Sequence, residues 1–174
     1  MIAALAWKFA FDPATGFINE ILGFDQSWFT RRWSAFLVII FTEIWKTTPF
    51  MSLLLLAGLT LVPEDILKAA QVDGANARQR FTRITLPIMK PAIGVALLFR
   101  TLDAFRIFDT VFVQTRGAQN TESVSIVGYN ALIARLNLGL GSAVSVLIFL
   151  AMLLIAVLFL RGFQMTRKLT GGQQ

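Results

Sequence analysis

Residues 68–91 read KAAQVDGANARQRFTRITLPIMKP, a polar segment set between two apolar stretches, 34–62 and 92–113, in a chain of 174 residues that is 56% hydrophobic. Its reading decides the fold. A hydrocarbon core about 30 Å thick needs about 20 predominantly apolar residues of helix, and both flanking stretches are long enough. The polar segment is therefore the body of a loop between two membrane spans, 63–91, opened by Pro63 and closed by Pro91.

The rest of the chain agrees. Mean hydropathy is +0.67 and there are 16 phenylalanines, a composition far from that of an average soluble domain. Residues 141–160, GSAVSVLIFLAMLLIAVLFL, carry no charge and end at Arg161, the clearest spanning helix of the chain. Residues 1–11, MIAALAWKFAF, are apolar but reach only about half way across a bilayer at about 1.5 Å per residue. They are expected to be the tail of a spanning helix whose beginning, with further N-terminal spans, is not in this chain. The expectation is an all-α, polytopic membrane protein in one partial transmembrane domain, 1–174, with connections at 12–32, 63–91 and 114–140. Within the last, VSIVGYNALIARL is expected to form a short amphipathic helix.

Charge gives the orientation. The net charge of +6 would suggest nucleic acid in a soluble chain, but here the basic residues gather in particular loops. Lys68, Arg78, Arg80, Arg83 and Lys90 lie in 63–91, and Arg161, Arg167 and Lys168 lie in the tail, against Arg31, Arg32, Arg116 and Arg135 in the other connections. By the positive-inside rule the loop 63–91 and the C-terminus are cytoplasmic. With no cysteine and no histidine, disulfides, thiolate chemistry, imidazole base catalysis and most zinc or haem ligation are excluded. No G-x-x-x-x-G-K-[ST] loop is present to cradle phosphates.

The loop itself reads as two short helices around a turn. Pro63 suits a first helical position, Glu64 and Asp65 suit the positive end of the helix dipole, and Asp73 with Gly74 makes the break. A helix resumes from Ala75 to Arg83, and Leu86-Pro87 is expected to end it before the next span. A segment that only joined two spans could be much shorter.

AAQVDGANARQRFTRITLPIMKP resembles the cytoplasmic signature loop of the permease subunits of binding-protein-dependent ABC importers, an E-A-A triplet, three residues to glycine and a later I-x-L-P. Ala69, Ala70, Asp73, Gly74, Ala75, Phe81, Ile84, Leu86, Pro87 and Pro91 fit it. FDPATGFINEILG, IWKTTPFMSLLLLAGLTLVPEDILKAA and IFDTVFVQTRGA extend the likeness to the carbohydrate branch, the maltose and glycerol-phosphate type. One departure is Lys68, where the family usually has glutamate, so an electrostatic contact at that position is not carried over.

The resemblance implies a type I importer permease core in a prokaryotic cell membrane, not itself an enzyme, which moves a sugar. Ala69, Ala70, Asp73, Gly74, Ala75, Arg78, Phe81, Leu86 and Pro87 would couple the spans to a separate ATPase. The implied partners are a second permease subunit, a pair of ATP-binding cassette subunits that hold ATP and Mg, and an extracytoplasmic sugar-binding protein. No cofactor is expected on this chain.

Charges inside spans are costly and mark pathways or pairs. Glu43, Lys46, Thr47 and Phe50 share one helical face, and Arg100, Asp103, Arg106 and Asp109 alternate in sign at steps of three. Phe50, Phe105 and Phe108 could offer flat faces to a sugar ring, whereas Trp45 reads as a packing residue. Glu43 with Lys46, and Asp103 with Arg106, could equally be intrahelical structural pairs. By position, the family's substrate-lining places fall on Lys46, Thr47, Phe50, Arg100, Asp103, Ala104 and Ile107. The alternative is an ATPase-independent channel or proton-coupled carrier with those charges as a relay, which leaves the loop 63–91 without a purpose.

Overall fold

A computed structural model describes residues 1–23 and 26–170, with side chains through residue 162. Phe24 and Asp25 of the first connection, and the side chains of Arg167 and Lys168 used in the orientation argument, lie outside the described residues. Among the described residues every regular element is a helix and none is a strand. In chain order the helices are α1 (Ile2–Ala10), α2 (Ile18–Leu22), α3 (Arg32–Leu59), α4 (Glu64–Val72), α5 (Ala77–Arg80), α6 (Leu86–Phe105), α7 (Asp109–Gln114), α8 (Val124–Tyr129) and α9 (Leu138–Thr170). Three helical stretches among the described residues are long and apolar enough to cross a membrane: 32–59, 77–114 and 138–162. Residues 142–162 of α9 include no buried residue, so their apolar surface needs lipid or protein around it.

The chain divides into two compact units, one of residues 1–48 and 103–153 and one of 49–102 and 154 onward. The first is built around Ile39, Val111 and Ile126, with Ile107, Phe108 and Phe112 packed against them. Aromatic edges fix α1 to α3: Trp7 meets Phe41 at 4.6 Å and Trp45 at 5.8 Å, both T-shaped, an arrangement that suits the ring quadrupoles. Trp45 is thus a packing residue, as its sequence context suggests. Lys8 Nζ donates to the Val113 carbonyl at 2.9 Å, and α1 thereby also reaches α7.

In the second unit α3 and α6 approach closely at Gly58. A Cβ there would lie 2.5 Å from the Ala92 Cβ, so only hydrogen fits. Small residues at such a crossing let two backbones close where no hydrophobic drive exists between helices in lipid.

Two expectations about helix ends are overturned. Leu86-Pro87 does not stop the helix: a single π turn over Phe81–Thr85, in which the Leu86 N–H reaches back to the Phe81 carbonyl, leads straight into α6. The wider turn absorbs the hydrogen bond that Pro87 cannot donate, and the helix continues through Pro91 as well. Conversely, the stretch 92–113 is not one helix. α6 ends at Phe105, Arg106–Phe108 are non-helical, and α7 starts afresh at Asp109. The last turn of α6 tightens, with Arg106 N–H on the Asp103 carbonyl at 3.1 Å, and the Ser123 hydroxyl takes up the freed Ile107 carbonyl at 2.7 Å. Arg106 and Asp109 therefore do not continue the face that carries Arg100 and Asp103. Residues 124–134 do form the short helix expected there, α8 closed by a π turn over Asn130–Ala134.

Candidate functional site

The turn at Asp73–Asn76 is fixed from both sides by its own backbone. α4 begins at Pro63, whose extended ψ of 128° makes it the N-cap rather than the first helical residue, with Glu64 and Asp65 in the first turn. At the other end Gly74 adopts φ +83°. Its N–H donates to the Gln71 carbonyl at 3.1 Å, and the Ala75 N–H to the Ala70 carbonyl at 2.9 Å. Those two bonds make a Schellman motif, which takes a left-handed residue just past the helix end and favours glycine there.

Two residues later Asn76 opens α5 with a reciprocal capping box. The Gln79 N–H donates to Asn76 Oδ1 at 2.9 Å, and the Asn76 N–H to Gln79 Oε1 at 2.9 Å. Arg80 Nη1 then reaches back to Gln71 Oε1 at 2.8 Å and clips α5 to α4. The turn is held by these hydrogen bonds, with no buried residue in α4 or α5 beneath it.

What it presents is open surface. Among the residues expected to couple, Ala69, Asp73, Gly74, Arg78, Phe81, Leu86 and Pro87 are exposed, and Ala70 and Ala75 half-buried. A Cβ built on Gly74 meets nothing within 4 Å. Val72, 88% exposed, and Phe81, 54% exposed, stand out as apolar side chains among charges. Asp73, Gly74, Ala75, Gln79, Arg83 and Ile84 line an open concavity of about 440 Å³. Lys68, in place of the family's glutamate, pairs with Glu64 at 3.1 Å on the surface of α4, where exposure and screening leave such a pair worth about 0–1 kcal/mol.

A second polar cluster lies in the first unit, inside α3 and α7. Glu43 is 5% exposed. Its Oε1 accepts from Lys46 Nζ at 2.6 Å and from the Thr110 hydroxyl. Lys46 Nζ also approaches Thr110 Oγ1 at 3.3 Å and Asp109 Oδ1 at 3.4 Å. Alongside, Gln114 Nε2 donates to Thr42 Oγ1 at 2.8 Å while its buried Oε1 has no partner among the described residues. Asp109 and Thr110 enter this cluster from the first turn of α7, which starts afresh after the break at Arg106–Phe108.

The other path candidates are dispersed. Thr47 gives its hydroxyl to the Glu43 carbonyl at 2.6 Å. Ile107 packs against the core of the first unit, and Phe108 stacks on Phe112 at 5.1 Å with Tyr129 beside it, so Phe108 is an internal packing residue. Asp103 and Ala104 are exposed in that unit, whereas Phe50, exposed, and Arg100, half-buried, belong to the second.

Comparison with known proteins fits this layout. The family described as "binding-protein-dependent transport system inner membrane component" matches residues 1–167. The chain is 55% identical over 163 residues to the trehalose transport system permease protein SugA of Mycobacterium tuberculosis, covering 94% of this chain and 53% of that protein. It is 41% identical to the trehalose/maltose transport system permease protein MalF of Thermococcus litoralis, over 92% of this chain and 56% of the relative. To the sulfoquinovosyl glycerol transport system permease protein SmoG of Agrobacterium fabrum it is 40% identical, over 90% and 52%. The chain spans about half the length of the curated relatives it matches.

Proposed function

Because the chain belongs to the family of binding-protein-dependent transport system inner membrane components, we propose that it is a permease subunit of an ATP-driven importer of a sugar of the trehalose or maltose type, coupled to a separate ATPase through the loop 63–91. It is a multi-pass membrane protein. The loop and the C-terminus face the cytoplasm in this reading, by the distribution of basic residues.

The observation that carries the proposal is the doubly capped turn at Asp73–Asn76. A hydrogen-bonded turn with apolar Val72 and Phe81 exposed beside it is a surface made to be covered. The π turn after α5 runs without a break into α6, so a push on the turn passes into a spanning helix by covalent continuity. ATP and Mg belong to the ATPase partner, since this chain carries no phosphate-cradling sequence. A second permease subunit completes the path and a sugar-binding protein delivers the solute from outside. Lys46, Thr47, Phe50, Arg100, Asp103, Ala104 and Ile107 are proposed to line or border that path. The trehalose and maltose specificities of SugA and MalF support the solute class.

The test is reconstitution. In liposomes, the complete transporter with its ATPase, second permease and binding protein should accumulate labelled trehalose or maltose only with internal ATP. Uptake by the permease alone, driven by a proton or ion gradient, would overturn the proposal in favour of a carrier.

A further inference from the structure

Lys46 stands at the accessible edge of the α3–α7 cluster, its side chain 29% exposed, while Glu43 behind it is 6% exposed. An ammonium has three donors. One is engaged closely by Glu43 at 2.6 Å, but the contacts to Thr110 and Asp109, at 3.3 and 3.4 Å, exceed the usual range of about 2.7–3.2 Å. The ammonium is thus held most closely by Glu43, and the two longer contacts, to Thr110 and Asp109, are the ones a solute hydroxyl would replace. Glu43 is itself fixed by the Thr110 hydroxyl on α7. Thr110 is fully buried and cannot touch a passing solute.

We propose that Glu43 and Thr110 are positioning residues for solute selection: they hold the Lys46 side chain in one place, where it can donate to a sugar hydroxyl. The inference rests on the importer reading and deepens it, since neither residue lies on the path. A long flexible lysine in an apolar span would otherwise snorkel toward an interface and discriminate poorly. Holding it in one geometry makes its hydrogen bond depend on where each sugar carries its hydroxyls. Selectivity of this kind arises because a buried polar group left unpaired by the wrong solute is costly.

The experiment measures uptake of labelled trehalose, maltose and sucrose by the complete transporter in liposomes, each sugar saturating the binding protein, so that the ratio of rates is independent of protein yield. Glu43→Gln keeps the shape and removes the charge, and Thr110→Val removes the hydroxyl that holds Glu43. Each should change the ratio between the two best sugars by about fivefold or more, and Thr110→Ser should restore it. Rates that fall in proportion for all sugars, with a lower yield of complex and an unchanged ratio, would overturn the inference and make the cluster a structural staple only. Should Glu43→Gln fail to assemble, the two Thr110 variants decide on the same criterion. A wild-type transporter that moves none of the three sugars would overturn the importer reading and this inference together, an outcome distinct from an unchanged ratio.

Discussion

Gly74 and Gly58 occupy the same compact unit and are both constrained to glycine, for opposite reasons. Gly74 has nothing within 4 Å of the position of a Cβ, but its φ is +83°. Gly58 sits in ordinary helix, but a Cβ would lie 2.5 Å from that of Ala92. One glycine is required by conformation and the other by space. The two places respond differently to change: the turn at Gly74 is held by its own backbone and leaves its surface open, whereas the helix crossing at Gly58 is held by contact and has little tolerance for volume.

That contrast can be broken in a definite way. The largest effect is expected at the crossing. Gly58→Leu should abolish or strongly reduce assembled protein, since overpacking a tight contact costs about 1–3 kcal/mol and a branched side chain here exceeds any relaxation. Gly58→Ala should be milder and be rescued by Ala92→Gly, read as yield and melting temperature of the purified complex. Failure of that rescue would mean that the Ala92 contact is not what excludes a side chain.

The turn should behave differently. Gly74→Ala should cost about 1–2 kcal/mol from left-handed strain alone, and Gly74→Asn distinctly less, because asparagine tolerates that conformation. No substitution at Ala92 should affect either. Equal damage from alanine and asparagine, scored by protease sensitivity of the loop, would show that the space around Gly74 matters after all.

A smaller effect is expected at the cap. Asn76→Ala removes the acceptor for the Gln79 N–H and should loosen α5 by about 1 kcal/mol, visible as faster amide exchange at Ala77–Arg80. Smallest of all, Lys68→Ala removes only the surface pair with Glu64 and should leave melting unchanged within about 0.5 kcal/mol. A large loss there would mean that Lys68 has a role the exposed pair does not account for.

The turn was readable in the sequence because its requirement is local: Asp73-Gly74 after an apolar helix stretch specifies a left-handed stop whatever surrounds it. The capping box is equally local, Asn76-x-x-Gln79, but a second helix that starts at Ala75 places Asn76 inside it rather than at its cap. The continuation through Pro87 was not readable, because the proline rule predicts a stop and the π turn that evades it depends on how Phe81–Thr85 wind. The break at Arg106–Phe108 has neither glycine nor proline to announce it. Its freed Ile107 carbonyl is taken up by Ser123, 16 residues further along the chain. The Glu43–Lys46 pair follows from i, i+3 spacing, but Asp109 and Thr110 join it from the helix that starts after that unannounced break.

The proposed coupling through the turn at Gly74 is tested most directly by Gly74→Val in the reconstituted transporter. β-branching is poorly compatible with φ +83°, while the open surroundings of Gly74 leave the rest of the unit undisturbed. The measurement is ATP-dependent sugar uptake per assembled complex. The account predicts that the complex forms and uptake is lost; assembled Gly74→Val transporter that imports sugar at the wild-type rate would contradict it.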